Sequence, residues 1–390
     1  MKEFGERNER TTWCFFQLLR YSIGASGVFP ENLTEGEWEA LFDMAQQQAL
    51  LGVLFHGIQK NLQQKPPRDL LLKWYVVSEQ IKATNQKANK VSVELSDYFR
   101  AHGFRSCILK GQGNTLNYPN PYIRTSGDMD VWVSPFHISQ RGGMKQCGGK
   151  GMNLNTDENV REMIAFARER HLNAKALYHH VDVGTFQGVE VEIHYRPSFM
   201  NNLIHNRRLQ WWFELVKEEQ FSHNVAFPDD TGSVCIPTHA FNRVYQMSHI
   251  FRHVIQMGIG LRQITDYYFV LKQGFTPEEQ KRDIILLKQL GLYRIATALM
   301  WVLKEVLRIE DKYMLVPADR QRGEFLLNEI IQGGNFGQWN NGKRKKQEGR
   351  VMKNIQRIKR DFRLMWYFPS ECLWEPIFRW YHFFWRWAHR

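Results

Sequence analysis

The run Asp-Met-Asp-Val-Trp-Val at 128–133 sets two carboxylates two positions apart inside a stretch that otherwise reads as a buried strand. Successive strand side chains alternate between faces, so Asp128, Asp130 and Trp132 share one face and Met129, Val131 and Val133 the other. Carboxylates this close repel. The chain can carry them if a divalent cation neutralises the pair, or if both look into water from a solvated strand edge. Any fold it adopts must supply one of these environments.

Around this stretch the periodicity changes. From Thr12 to Ala101 apolar residues recur at helical spacing, interrupted at Phe29-Pro30 and Pro66-Pro67. Thr34 precedes Glu37 at the spacing of a capping box, which predicts a helix start there. Short runs rich in β-branched and aromatic residues follow: SCIL before Lys110-Gly111, then DMDVWV, then VEVEIHY, with a helical stretch NVREMIAFARERHLN before the last. From Thr238 helical spacing returns. The pattern predicts an α+β fold, with an N-terminal helical region over 1–100, a small mixed-sheet α/β core over 101–236 and a C-terminal helical region over 237–390. A flexible basic loop is expected near 332–349, where Lys343, Arg344, Lys345 and Lys346 run together.

A net charge of +12, from 52 Lys and Arg against 40 Asp and Glu, favours anionic partners: nucleotides, sugar phosphates, nucleic acid or acidic lipid headgroups. The five cysteines, at 14, 107, 147, 235 and 372, are scattered singly without zinc-site spacing, as expected of a reducing cytoplasmic setting. No signal-peptide core or long apolar run is visible, so the expected chain is neither exported nor membrane-spanning.

Three features carry chemistry. Lys110-Gly111 ends an apolar strand and leads into Gln112-Gly113-Asn114; such a turn lets backbone amides approach a phosphate, although an ordinary turn looks the same. Arg124, Thr125, Ser126 and Gly127 lead into the Asp128/Asp130 pair, which can share Mg²⁺ with triphosphate oxygens. Glu190, Glu192 and His194 share a face of VEVEIHY, where a carboxylate can complete a metal triad or accept a proton; alternation alone also marks a half-buried strand.

Other motifs weigh less. GGKGMN, in the glycine-rich loop 141–151, lacks the full phosphate-loop pattern. His249 and His253 lack a third ligand, and Arg262 and Asp266, one helical turn apart, read as a structural ion pair. No RNA-reading module accompanies the basic run, which disfavours nucleic acid. At the aromatic C-terminus, Trp374, Phe378, Tyr381 and Trp385 recur at helical spacing and can dock on the rest of the chain. With Arg379, Arg386 and Arg390 among them, the same helix can instead make peripheral contact with a membrane.

Taken in order, ILKGQGNTLNYPNPYIRTSGDMDVWV, VEVEIHYRP and GIGLRQITDYYFVL resemble the DNA polymerase β-like nucleotidyltransferase superfamily. They resemble more closely a bacterial group described only as nucleotidyltransferase family proteins, often encoded near surface-polysaccharide genes. The resemblance implies Mg²⁺-dependent transfer of a nucleoside monophosphate from a nucleoside triphosphate, such as ATP, to an acceptor hydroxyl or phosphate. In that frame Asp128 and Asp130 hold two Mg²⁺ ions, with Mn²⁺ an alternative, and Glu192 is the third carboxylate. Lys110, Gly111 and Ser126 lie around the triphosphate, with Arg124 nearby. A small sugar or polyol phosphate is the expected acceptor. The chain departs from the family pattern at Gln112, where a serine is usual, in the long interval from Gly111 to Asp128, and over 141–160. Two other readings stay open: a catalytically inactive nucleotide-binding or partner-binding protein, and a toxin-like modifier of protein or RNA.

Overall fold

Helices Glu6–Ser22, Glu35–Gln47, Leu51–Lys60 and Arg68–Ala101 precede the first strand. In the computed structural model, which describes residues 6–136, 154–170, 174–335, 339–340, 343–344 and 350–389, the chain leaves helix around Phe29-Pro30 and Pro66-Pro67 as the sequence expects, and a further break at 48–50, where Ala49 takes φ +55°, divides the middle helical stretch in two. The Thr34 hydroxyl accepts the Glu37 N–H while the Glu37 carboxylate accepts the Thr34 N–H at 2.8 Å. Two amide donors that the helix leaves open are thus satisfied. Thr276 and Glu279 repeat the device ahead of helix Pro277–Gln289.

A five-stranded sheet forms from β1 (Phe104–Leu109), β2 (Met129–Pro135), β3 (Lys175–Ala176), β4 (His180–Phe186) and β5 (Val189–His194), in spatial order β1-β2-β5-β4-β3. The α+β class is the one expected, and the sheet is mixed: β2 runs parallel to β5, and the other pairings are antiparallel. A parallel pair needs a long crossover, and helix Leu154–Arg170 lies within it. One face of the sheet packs Ile108, Val131, Val133 and Ile193 with Leu95 and Phe99 of the long helix and Met163 of the crossover helix. On the other, Trp132 stacks on Phe241 with centroids 5.9 Å apart and meets Phe221 at 5.0 Å. Every residue of β2 is therefore buried.

Two units emerge, both discontinuous: residues 1–85, 117–125 and 249–369, and residues 86–116, 126–248 and 370–390. They cut across the three consecutive regions read from the sequence. The sheet unit takes in the second part of the long helix and the C-terminal helix Pro369–Ala388. Within the first unit, helix Leu261–Lys272 is buried along almost its whole length. Gly52 there lies against the segment 117–125, since a Cβ on it would stand 2.4 Å from the Ile123 carbonyl oxygen. Asn85 donates its side-chain amide to the Arg124 carbonyl at 2.8 Å and pins the same segment.

The basic stretch expected to be a plain loop carries a two-residue ladder, Trp339 with Arg344 and Asn340 with Lys343. The glycine-rich loop 141–151 and the pair Lys345-Lys346 lie outside the described residues.

Candidate active site

Asp130 belongs to an interior strand and is 3 % exposed, so a solvated edge is not its environment. Asp128 stands just before the strand and remains open to solvent. The parallel register sets Asp130 opposite Glu192, and the antiparallel register sets Glu192 opposite Asp182. Directly opposed residues project from the same face. A row of three carboxylates consequently crosses β2, β5 and β4. Two residues along, His194 is opposite His180.

His194 ties the row together. Its Nε2 lies 2.8 Å from Asp130 Oδ1 and 3.2 Å from Glu192 Oε2, and its Nδ1 faces the Arg196 carbonyl at 3.3 Å. Acceptors at both ring nitrogens favour the imidazolium. Burial pulls its pKa down, yet the hydrogen bonds to Asp130 and Glu192 outweigh burial and leave it raised. The Lys110 ammonium lies 2.8 Å from the other Asp130 oxygen. Burial alone would raise the Asp130 carboxyl, but Lys110 and His194 hold it far below the ordinary carboxylate range.

Asp128 behaves in the opposite way. The like charge of Asp130 pushes its carboxyl up to about 6. Glu192 is held low, because the His194 hydrogen bond overrides its burial. His180 is lowered by burial; as a neutral ring it donates Nε2–H to Asp182 at 2.8 Å and accepts at Nδ1 from His179 at 2.9 Å.

The donor set suits a hard divalent cation. Ligand atoms of His180, Asp182 and Glu192 lie within 4.8 Å of one another, as do those of Asp130, Glu192 and His194, of which His194 could ligate only after giving up a ring proton. The raised Asp128 carboxyl marks repulsion that the protein's own cations leave uncompensated, and a divalent ion between Asp128 and Asp130 would relieve it. Carboxylate oxygens suit Mg²⁺, and the adjoining imidazoles extend the fit to Mn²⁺.

The remaining candidates divide. Lys110 reaches Asp130 because it and Gly111 take positive φ, +47° and +31°, which turns the chain sharply at the end of β1. A left-handed φ is unfavourable for a lysine and costs on the order of 1–3 kcal/mol. Ser126 is half-buried, two residues ahead of Asp128. Arg124 belongs to the first unit, where its Nε and Nη2 grip Asp266 at 2.7 and 2.8 Å and the Tyr118 hydroxyl donates to the same carboxylate at 2.7 Å. The sequence pairs Asp266 with Arg262, whose charge also acts on this carboxylate, and the resemblance sets Arg124 beside the phosphates; Arg262 also donates to the Thr125 carbonyl, at 3.0 Å. His249 and His253 are buried with ring centroids 4.3 Å apart, and neither joins a metal-binding group among the described residues.

Sequence reasoning passed over His179, His180 and Asp182. Their signal was the alternation His180-Val181-Asp182, which matches the Glu192-Ile193-His194 face with the charges interchanged.

No curated protein and no solved structure matches the chain significantly. A family model described as "Uncharacterised nucleotidyltransferase" matches residues 34–308, which take in the strands that carry the acids and the helix that carries Asp266. The chain belongs to this uncharacterised nucleotidyltransferase family.

Proposed function

We propose that the chain transfers a nucleoside monophosphate from a Mg²⁺-bound nucleoside triphosphate to the hydroxyl or phosphate of a small acceptor, a sugar or polyol phosphate of surface-polysaccharide metabolism. The observation that carries the proposal is the register setting Asp130 opposite Glu192, beside an Asp128 carboxyl pushed up to about 6 by its neighbour. Bound Mg²⁺ would supply charge neutralisation for the triphosphate and the departing pyrophosphate.

The chain's own groups supply the rest. Asp128, Asp130 and Glu192 would hold the cation. Lys110, half-buried beside Asp130, would set a fixed ammonium against phosphate charge, and Gly111 offers a backbone without a Cβ to obstruct approach. His194 clamps Asp130 and Glu192 together and fixes their orientation. Glu192, the less deeply buried of the two, can also accept the proton of an acceptor hydroxyl. Arg124 and Arg262 both donate to the Thr125 carbonyl and order the chain there.

Asp128→Asn tests this with little danger to the fold, because it removes a carboxylate that repels its neighbour. The melting temperature should hold or rise, while pyrophosphate release over an acceptor panel falls by about 10²-fold or more. Calorimetry should show Mg²⁺-dependent triphosphate binding weakened in parallel. Transfer by the variant at the wild-type rate would sink the assignment. One observation favours a second reading: both Asp130 oxygens already have cationic partners in Lys110 and His194. Binding without turnover on any acceptor would support a nucleotide-binding protein with a silent site.

A further inference from the structure

The C-terminal helix Pro369–Ala388 carries two apolar stripes on opposite faces. Its inner stripe is anchored on the sheet unit. Phe378 stacks on Phe199 with centroids 4.8 Å apart, and Trp385 meets Tyr178 at 5.8 Å. Polar contacts lock the same face: Glu371 accepts the Asn201 N–H at 2.6 Å, and His382 accepts the Tyr178 N–H at 3.2 Å.

The outer stripe is Leu373, Ile377, Trp380, Phe384 and Trp387, spaced alternately four and three apart, so all five fall along one line of the helix. Each is between 50 % and 70 % exposed. A monomeric soluble protein seldom leaves so much contiguous aromatic surface without a use.

Charge decides the occupant. Between 369 and 390 the only acids are Glu371 and Glu375, and both are buried. The exposed surface of the helix therefore presents the outer apolar stripe and, along one flank, the arginines Arg379 (paired to Glu375 at 2.7 Å) and Arg386, with no exposed carboxylate between 369 and 389. Residues 350–390 hold nine Lys and Arg against three Asp and Glu, half of the net charge of the chain. The preceding helix Arg350–Met365 repeats the chemistry, with Ile358 and Phe362 exposed one turn apart among Arg357, Lys359, Arg360 and Arg363. A second copy of this helix would offer its arginines no exposed acid of its own to pair with. An anionic bilayer supplies both an apolar boundary for the rings and phosphates for the arginines.

We propose that helix Pro369–Ala388 docks in the plane of an anionic lipid surface through Leu373, Ile377, Trp380, Phe384 and Trp387. No described helix is long and apolar enough to cross a membrane, so the contact is peripheral. Tyr178, held under this helix, is two residues from His180, so docking would keep the carboxylate row close to the lipid boundary. The proposal does not depend on what that row catalyses.

The test is sedimentation of the full chain with phosphatidylcholine vesicles carrying about one-third phosphatidylglycerol, at low salt, with tryptophan emission as a second readout. The wild type should pellet with a blue-shifted emission. The triple variant Trp380→Gln, Phe384→Gln, Trp387→Gln should lose about tenfold or more in partitioning, since it removes most of the apolar surface available for insertion. Its circular dichroism and melting temperature should be unchanged, because these three side chains are mostly exposed and the rings of Trp380 and Phe384 meet each other and Phe383 of the same helix. Arg386→Glu should weaken binding, and added salt should do the same. Failure of the wild type to pellet, or equal pelleting of the triple variant, overturns the proposal. So does a concentration-dependent dimer in sedimentation velocity that the triple variant abolishes, which would assign the face to a second copy.

Discussion

Asp266 shows how a single buried carboxylate can organise a stretch of chain far from it in sequence. Burial alone would raise its pKa, but the Arg124 charge and hydrogen bonds, aided by Arg262 and Tyr118, hold it below the ordinary carboxylate value. A depressed folded-state pKa contributes stability that is fully present above the unfolded value near ~3.9 and is lost as pH falls through the folded one. Asp266→Asn leaves Arg124 buried without its counter-charge, and should cost about 3–5 kcal/mol at neutral pH. Urea unfolding at neutral pH and at about pH 3 checks this: the gap between wild type and variant should narrow at the acid end. At this scale the sequence was partly legible. Alternation alone placed Asp128 and Asp130 on one face and Glu192 on another strand's polar face. Arg124 was not legible, because its partner lies 142 residues away and nothing local marks the pairing.

Elements were easier to read where their signals are local, as in the capping box at Thr34 and the apolar run that becomes β2. Strand β4 escaped because His180, Asp182, Gly184 and Thr185 make it look like a polar loop, and its register slips between Asp182 and Thr185. Only pairing with β5 makes it a strand. Contact between elements also explains two helical glycines that look equivalent in sequence. Gly52→Ala would drive a Cβ to 2.4 Å from the Ile123 carbonyl oxygen, which cannot swing away like a side chain. A loss of about 1–3 kcal/mol is expected. Gly36→Ala meets nothing within 4 Å and should be neutral or stabilise by up to about 1 kcal/mol. Paired thermal unfolding of the two variants separates close approach from general helix propensity.

For the molecule as a whole, the three consecutive regions read from periodicity and the two units found by contact differ because the chain passes between units five times, after residues 85, 116, 125, 248 and 369. Periodicity reports which element forms, not where the chain returns. The last return packs on the sheet unit: Phe378→Ala would empty a site bordered by Tyr178 and Phe199 and should cost about 3–5 kcal/mol. Denaturant unfolding should show the loss as a lowered midpoint. The threading also bears on how the protein is made. Synthesis at roughly 5–20 residues per second delivers β1 to β5 many seconds before the helix that covers Tyr178 and Phe199. Until residues 370–389 emerge, the nascent sheet presents those rings bare, so a ribosome-associated chaperone has its longest opportunity on the unit that carries the acids.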